Sequence, residues 1–123
     1  RRLQAIIDEI GDEKFIQLEE QTMNNYASAT ETVISPGGSI IYSHNAMKLL
    51  KRISTIIFLE APFELIRKRI EAHSRGIVGL KTKSLEDLFL ERSPLYNTYA
   101  DLIIKADNLQ PNEIVSAILS RLQ

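Results

Sequence analysis

Two arginines stand in sequence contexts that suit the recognition of a carboxylate or a phosphate. Arg75 lies in a stretch with two glycines and several basic side chains, residues 73–83. From there a guanidinium could swing over a transferring phosphoryl group and offset the charge on its oxygens. Arg92 is followed by Ser93 and Pro94, and its planar fork suits either anion. The sequence leaves two alternatives open: a solvated surface position for Arg75, and a pairing with a neighbouring glutamate for Arg92.

A glycine pair provides a second kind of candidate site. Gly37 and Gly38 follow the apolar segment 33–35 and precede Ser39. Paired glycines let backbone N–H groups approach an anion or a hydroxylated ligand closely. In open α/β sheets, ligands bind beyond the carboxyl ends of strands, where this segment is expected to lie. A plain turn between a strand and a helix is the alternative.

Metal binding and nucleophilic catalysis find little support in the sequence. His44 and His73 have no partner at the spacing of metal ligands, so no metal site is expected. The chain has no cysteine, which excludes disulfides, thiolate metal sites and a cysteine nucleophile. We interpret Tyr42, Tyr96 and Tyr99 as packing groups whose hydroxyls reach water, rather than as a platform for stacking bases.

Helices and strands alternate along the chain. Apolar side chains recur at helical spacing in residues 2–26, 43–52, 62–72, 84–93 and 111–122. Gly11 is expected to divide the first of these stretches, and Pro94 to interrupt the fourth. Short apolar runs predict strands at residues 33–35, 55–59 and 102–104. Because the strands are apolar throughout, we expect both faces to be covered, in a three-layer α/β/α fold with a mostly parallel sheet.

The composition is that of one soluble domain. The 123 residues are 44% apolar and can bury one core, so residues 1–123 are predicted to form a single domain. Fifteen basic and sixteen acidic side chains give a net charge of −1, and no basic run favours nucleic acid or an anionic membrane. The longest apolar run, residues 55–59, is too short to span a bilayer, and no signal peptide is recognisable. A cytoplasmic location is expected.

Several segments, taken in order, resemble the shikimate kinase family of P-loop small-molecule kinases. The sequence Gly-Asp-Glu-Lys-Phe at residues 11–15, with Glu19, resembles the family's Gly-Glu-x-x-Phe-Arg-x-x-Glu segment. Residues 33–39 resemble its strand that ends in Thr-Gly-Gly-Gly, and residues 75–78 take the place of the lid's Arg-Pro-Leu-Leu. Residues 85–101 resemble its helix with Glu-Arg-x-Pro-Leu-Tyr followed by Ala-Asp, which is the most specific motif.

The resemblance implies a transferase that moves the γ-phosphoryl group of ATP to a hydroxyl of a small carboxylated metabolite. Arg92 would grip the carboxylate of that acceptor. Gly37, Gly38 and Ser39 would line the acceptor pocket.

The resemblance also implies a nucleotide site that uses ATP and Mg²⁺. Arg75 would be the catalytic arginine of a lid at about residues 73–83 and would reach the phosphates. Arg69 would lie along the adenine, and Asn108 would belong to the loop that borders the base.

Two departures from the family pattern bear on the acceptor. Ile16 stands where the family has a second arginine that clamps the shikimate carboxylate, and an aliphatic group cannot replace a bidentate donor. The glycine loop is altered to Pro-Gly-Gly-Ser at residues 36–39. An acceptor related to shikimate is therefore a second expectation.

A third departure concerns the nucleotide. No Gly-x-x-x-x-Gly-Lys-Ser/Thr segment occurs in the sequence, so this chain alone is expected not to transfer phosphate. The family carries that loop, and the central strand before it, ahead of the part that this chain matches. Two alternatives follow: a true fragment that lacks the N-terminal strand and helix and leaves a gap between two strands, or a longer protein whose opening segment is not part of this sequence. A true fragment is expected to associate with itself or with a partner chain.

Three functions follow as hypotheses. The first is the shikimate kinase-like activity described above, carried out by the complete protein. The second is a kinase-like nucleotide-binding or regulatory module without catalysis, which Ile16 and the missing loop motivate. The third is a P-loop kinase for another small acceptor, of the gluconate or nucleoside type.

Overall fold

The computed structural model describes residues 2–72, 76–80 and 82–123, in which six helices accompany a parallel pair of strands. In chain order the elements are α1 (Leu3–Ile10), α2 (Asp12–Asn24), a 3₁₀ helix (Gly38–Tyr42), α3 (His44–Ile53), β1 (Ile57–Glu60), α4 (Phe63–Ala72), α5 (Leu85–Tyr99), β2 (Leu102–Lys105) and α6 (Pro111–Leu122). The predicted α/β class with a parallel sheet is confirmed. No helix of the described residues is both long and apolar enough to cross a membrane.

Strands β1 and β2 run parallel, with Ile57 opposite Leu102 and Glu60 opposite Lys105. Asp101, which precedes β2, links the beginnings of the two strands through two hydrogen bonds. Its Oδ2 accepts a hydrogen bond from the backbone N–H of Ile56 at 2.7 Å, and its own N–H donates to the carbonyl of Ile56 at 2.8 Å. The bond from the Ile56 N–H lowers the pKa of the Asp101 carboxyl, with a further contribution from the Lys51 ammonium. The parallel arrangement places the carboxyl ends of both strands at one edge, where α/β folds bind ligands.

Two predictions about strands are wrong. Residues 33–35 form no strand, and Val33 is 95% exposed. An extended segment becomes a strand only when a neighbour pairs with it, and these residues have no such neighbour in the described part of the chain. The strands are also not covered on both faces, since Leu59 is 46% and Ile103 is 36% exposed.

The prediction that Pro94 interrupts a helix is also wrong, because α5 continues through it from Leu85 to Tyr99. Proline lacks an N–H, so the carbonyl of Leu90 loses its usual donor. Both Pro94 and Leu90 are exposed, and water can replace that donor. The uninterrupted helix places Arg92 and Tyr96, four residues apart, on one face.

Helix boundaries follow local signals. Ser84 caps α5 by accepting a hydrogen bond from the N–H of Asp87 at 3.1 Å, as its position in the sequence predicts. Ser43 caps α3 in the same way, with the N–H of Ala46 at 3.1 Å. Gly11 separates α1 from α2 with a φ of 86°, in the left-handed region that glycine adopts without strain.

Two buried clusters hold these helices together. The larger one joins α2, the 3₁₀ helix and α3, and consists of Met23, Ile40, Ile41, Ala46, Met47 and Leu50. Tyr96 and Tyr99 of α5 pack against it. The smaller cluster joins α1 and α2 to the loop before α5, through Ile7, Phe15 and Val78. Helix α2 thus contributes to both clusters.

Candidate active site

A cleft of about 1080 Å³ opens at the carboxyl ends of β1 and β2. Glu60 and Lys105, the last residues of the two strands, lie at its wall. Three segments that are separate in the sequence contribute to its polar lining, with Glu19 on α2, residues 37–39 before and in the 3₁₀ helix, and Arg92 on α5. The volume is that of a small-molecule site. The structure therefore brings together Gly37, Gly38, Ser39 and Arg92, the four residues that the sequence predicts for acceptor binding.

Arg92 is held by the protein but is not neutralised. Its Nη2 donates to the carbonyl of Val78 at 2.7 Å, and its Nε donates to the hydroxyl of Tyr42 at 3.3 Å. No carboxylate of the described residues is in hydrogen-bond contact with it, so the sequence alternative of a glutamate pair does not hold there. A guanidinium has five N–H donors. These two bonds and the contact with the Tyr96 hydroxyl leave two, which are enough for a bidentate carboxylate.

Gly38 allows helix α5 to approach the backbone of the 3₁₀ helix. The hydroxyl of Tyr96 donates to the carbonyl of Gly38 at 2.9 Å. A Cβ at Gly38 would lie 2.5 Å from that hydroxyl oxygen and 3.3 Å from Nη1 of Arg92. Because no side chain fits there, position 38 contributes only backbone atoms to the cleft wall, next to Nη1 of Arg92.

Ser39 and Glu19 form the other polar contact of this wall. The Ser39 hydroxyl is buried and donates to Oε1 of Glu19. Burial raises the pKa of the Glu19 carboxyl above its ordinary value of 4.5, although the Ser39 hydrogen bond and the charge of Arg92 act in the opposite direction. Glu19 is thus a hydrogen-bond acceptor at the cleft whose ionisation costs free energy.

We expect the substitution Glu19→Gln to stabilise the protein increasingly as the pH rises. With a raised pKa, the folded state binds the Glu19 proton more tightly than the unfolded state does. The stability that this tighter proton binding contributes is fully present below pH 4.5, and it is lost as the pH rises through the raised pKa of the folded state. Glutamine stays neutral and can still accept a hydrogen bond from Ser39, so the variant does not lose stability as the pH rises.

Thermal denaturation between pH 4 and pH 7 measures this effect. The melting temperature of Glu19→Gln relative to wild type should increase over that range. Glu13→Gln, at an exposed position of the same helix, serves as the control. A difference that stays constant or shrinks with pH would contradict the prediction.

Comparison with known proteins assigns the chain to a family. A profile described as shikimate kinase matches residues 1–123. The chain belongs to the shikimate kinase family. This is a family of ATP-binding transferases with a P-loop kinase fold that serve aromatic amino acid biosynthesis.

Individual shikimate kinases align over nearly the whole chain. The shikimate kinase of Dictyoglomus turgidum is 27% identical over 128 residues, which cover 100% of this chain and 74% of the relative. That of Staphylococcus epidermidis is 31% identical over 120 residues, which cover 95% of this chain and 69% of the relative. Each relative is therefore longer than the segment that this chain matches.

Solved shikimate kinases share the fold. The crystal structure of the enzyme from Bacteroides thetaiotaomicron has a TM-score of 0.74 at 26% identity, and covers 98% of this chain and 72% of that one. Shikimate kinase from Acinetobacter baumannii, solved in complex with shikimate, has a TM-score of 0.79 at 23% identity and covers 98% of this chain and 69% of that one.

Two of the residues that the shikimate kinase resemblance assigns to the nucleotide, Arg69 and Asn108, do not line the cleft. Arg69 is exposed on α4, and Ile66 and Ile70 of that helix line the cleft instead. Asn108 is exposed in the turn after β2 with a φ of 63°. Arg75 lies outside the described residues. The nucleotide roles of Arg69, Arg75 and Asn108 remain predictions.

Ile16 does not line the cleft. It packs against the cluster that contains Ile7 and Phe15. The position where the shikimate kinase pattern has its second arginine therefore contributes to the core in this protein. The cationic side chains that line the cleft, within the described residues, are Arg2, Arg92 and Lys105.

The described part of the predicted lid, residues 76–80 with 82 and 83, forms neither helix nor strand, as expected. Two of its N–H groups bind the first helices, Ile77 to Oε1 of Gln4 and Gly79 to Oδ2 of Asp12, both at 3.1 Å. Val78 is buried between them. This segment consequently forms one wall of the cleft. Movement of a lid over residues 73–83 stays a prediction.

Sequence reasoning missed the part that two tyrosines play. Their hydroxyls do not simply reach water, since Tyr96 donates to Gly38 and Tyr42 lies between Arg92 and Glu91. For Tyr96 a signal was present, because a helix that continues through Pro94 places it one turn after Arg92. For Tyr42 no local signal exists, since its partners lie about 50 residues away.

Proposed function

We propose that the protein transfers the γ-phosphoryl group of ATP to a hydroxyl of a small carboxylated acceptor, with shikimate as the first candidate. The observation that carries this proposal is the Arg92 guanidinium, which lies in the cleft with N–H donors left for a bidentate contact and no carboxylate of the described residues hydrogen-bonded to it. Such a group recognises a carboxylate through two parallel hydrogen bonds. The shikimate bound to the Acinetobacter baumannii enzyme supports this choice of acceptor.

The residues of this chain act on the acceptor by binding and orientation. Arg92 holds the carboxylate, and the side-chain-free backbone at Gly37 and Gly38 accommodates the ring. Glu19 accepts a hydrogen bond from an acceptor hydroxyl with the oxygen that Ser39 does not occupy. Positioning of this kind accounts for much of the catalysis in phosphoryl transfer, because the transferred group itself needs little covalent help.

The loop at residues 76–80 contributes by excluding water. Water near an activated phosphoryl group competes with the acceptor for it. Buried Val78, held to Arg92 through its carbonyl, covers the side of the cleft where the carboxylate would bind. The loop and the acceptor's carboxylate would therefore bind neighbouring N–H groups of the same guanidinium.

ATP and Mg²⁺ belong to the proposal as the phosphoryl donor and its metal ion. In this proposal Arg75 would reach the phosphates, and Arg69 and Asn108 would lie by the base. The described residues contain no group of three or more His, Asp or Glu side chains that could hold a metal ion. They do not by themselves fit Mg²⁺, so the roles assigned to this chain's residues concern the acceptor and not the metal ion.

The test is an acceptor panel with the full-length protein, in which ADP formation is followed with ATP and Mg²⁺ present. Shikimate, gluconate and a nucleoside are the acceptors. Shikimate-dependent ADP formation is the expected result. Turnover only with another acceptor would replace shikimate, and nucleotide binding without turnover would favour a regulatory module. A cytoplasmic location and self-association stay predictions.

A further inference from the structure

The hydroxyl of Tyr42 lies between two charged side chains of α5. It donates a hydrogen bond to Oε2 of Glu91 and accepts one from Nε of Arg92 at 3.3 Å. The other oxygen of Glu91 accepts from Nζ of Lys83. Glu91 and Arg92 are therefore bridged by one hydroxyl group, and Glu91 has donors on both oxygens.

The ring of Tyr42 also contacts Arg92. The Cζ atom of Arg92 lies 5.2 Å from the ring centroid, within the range of a cation–π interaction. Together with the hydrogen bonds of Nε to Tyr42 and of Nη2 to Val78, this contact restrains the guanidinium at three points. The Nη1 edge is left facing Gly38 and the cleft.

We propose that Tyr42 is a positioning residue for the acceptor: it directs the free edge of Arg92 into the cleft and keeps Glu91 from pairing with that arginine. The inference rests on the proposed function, because it requires that Arg92 binds the acceptor's carboxylate. Glu91 is the natural competitor, since its carboxylate and Nε of Arg92 both lie within hydrogen-bond distance of the same oxygen. A carboxylate that captured Arg92 would exclude the carboxylate of the acceptor.

The ionisation of Tyr42 is consistent with this role. Burial raises the pKa of the Tyr42 hydroxyl above 10, and the neighbouring Glu91 raises it further, while Arg92 acts in the opposite direction. The hydroxyl consequently keeps its proton at neutral pH and remains able to donate to Glu91. The bridge therefore persists under the conditions in which the enzyme would act.

Tyr42→Phe tests the hydroxyl, and Tyr42→Leu tests hydroxyl and ring together. We expect Tyr42→Phe to raise KM for shikimate about five- to tenfold, which is the effect of losing one hydrogen bond of ordinary net strength, and to change kcat less than about twofold. Tyr42→Leu should raise KM for shikimate about thirtyfold, because the cation–π contact is lost as well. KM for ATP should stay unchanged in both variants.

A double variant separates competition by Glu91 from a general loosening of the site. In Tyr42→Phe/Glu91→Gln the competing negative charge is gone, so KM for shikimate should return to within about threefold of wild type. Tyr26→Phe is the matched control, because Tyr26 is exposed and distant from the cleft lining. Shikimate binding to each variant by calorimetry gives the same comparison without turnover.

The outcomes distinguish the two proposals. If both Tyr42 variants bind shikimate as wild type does while Arg92→Ala does not, the role of Tyr42 is wrong and the proposed function stands. If Arg92→Ala also binds normally, the proposed function itself fails. A variant with a lower kcat, higher KM values for both shikimate and ATP, and a lower melting temperature would show that the role of Tyr42 is structural only. An unrestored double variant would overturn the competition by Glu91.

Discussion

Replacement of Arg92 by alanine should lower kcat/KM for shikimate about a hundred- to a thousandfold. The substitution removes a bidentate, charge-assisted contact that contributes about 3–4 kcal/mol, which corresponds to that factor. KM for ATP should change less than about threefold, because the guanidinium faces Gly38 and Val78 rather than the α4 side of the cleft. Steady-state kinetics of the full-length protein with each substrate varied in turn measures both quantities.

Two further variants test whether the loss is specific to the guanidinium group of Arg92. Arg92→Lys keeps the charge but not the planar fork, so its kcat/KM should fall between those of wild type and Arg92→Ala. Arg67→Ala removes an arginine whose ion pairs with Glu64 and Glu71 lie on the surface of α4, and it should have little effect. Wild-type kcat/KM in Arg92→Ala would exclude this arginine as the carboxylate site.

The substitution Gly38→Ala should lower kcat/KM for shikimate about ten- to a hundredfold and destabilise the fold by about 1–3 kcal/mol. A Cβ at this position would lie 2.5 Å from the hydroxyl oxygen of Tyr96, a contact that real structures do not contain. The half-buried Tyr96 side chain, α5 or the 3₁₀ helix must shift, and each of these shifts disturbs the cleft wall beside Arg92. Kinetics and thermal denaturation measured together give both effects.

Gly37→Ala is the matched control for Gly38→Ala. Its Cβ would lie 3.3 Å from Oε2 of Glu19, the end of a side chain that can move, so we expect a much smaller effect. In Gly38→Ala/Tyr96→Phe the clashing hydroxyl is absent, and part of the lost stability should return. Equal effects of the two single alanine substitutions would show that close packing against Tyr96 is not what requires glycine at position 38.

The sequence was sufficient for features that depend on local chemistry. Apolar periodicity predicts the helices, and Gly11 predicts the break between α1 and α2. Arg92 and Gly38 could also be recognised as candidate binding residues, because an arginine close to a proline and a glycine pair after an apolar segment are visible in short stretches. The acceptor role proposed for them comes from the shikimate kinase resemblance. The cleft does bring Arg92 and Gly38 together.

Features that depend on distant partners could not be predicted. Residues 33–35 have the composition of a strand, but strand formation requires a neighbour, which local composition does not report. Pro94 interrupts an isolated helix, yet α5 continues because packing of its other face against the larger core cluster compensates the lost hydrogen bond. The position of Tyr42 between Glu91 and Arg92 arises only once the 3₁₀ helix and α5 are packed together.

The hydrogen bond from Arg92 to the carbonyl of Val78 makes one side chain common to the acceptor pocket and the loop at residues 76–80. A guanidinium that the loop has already immobilised loses less rotational entropy when a carboxylate binds to it. In the same way, a bound carboxylate reduces the entropy that is lost when the loop settles on Arg92. If Arg92 binds the acceptor's carboxylate as proposed, thermodynamic linkage requires that acceptor binding and ordering of this loop favour each other by an equal factor.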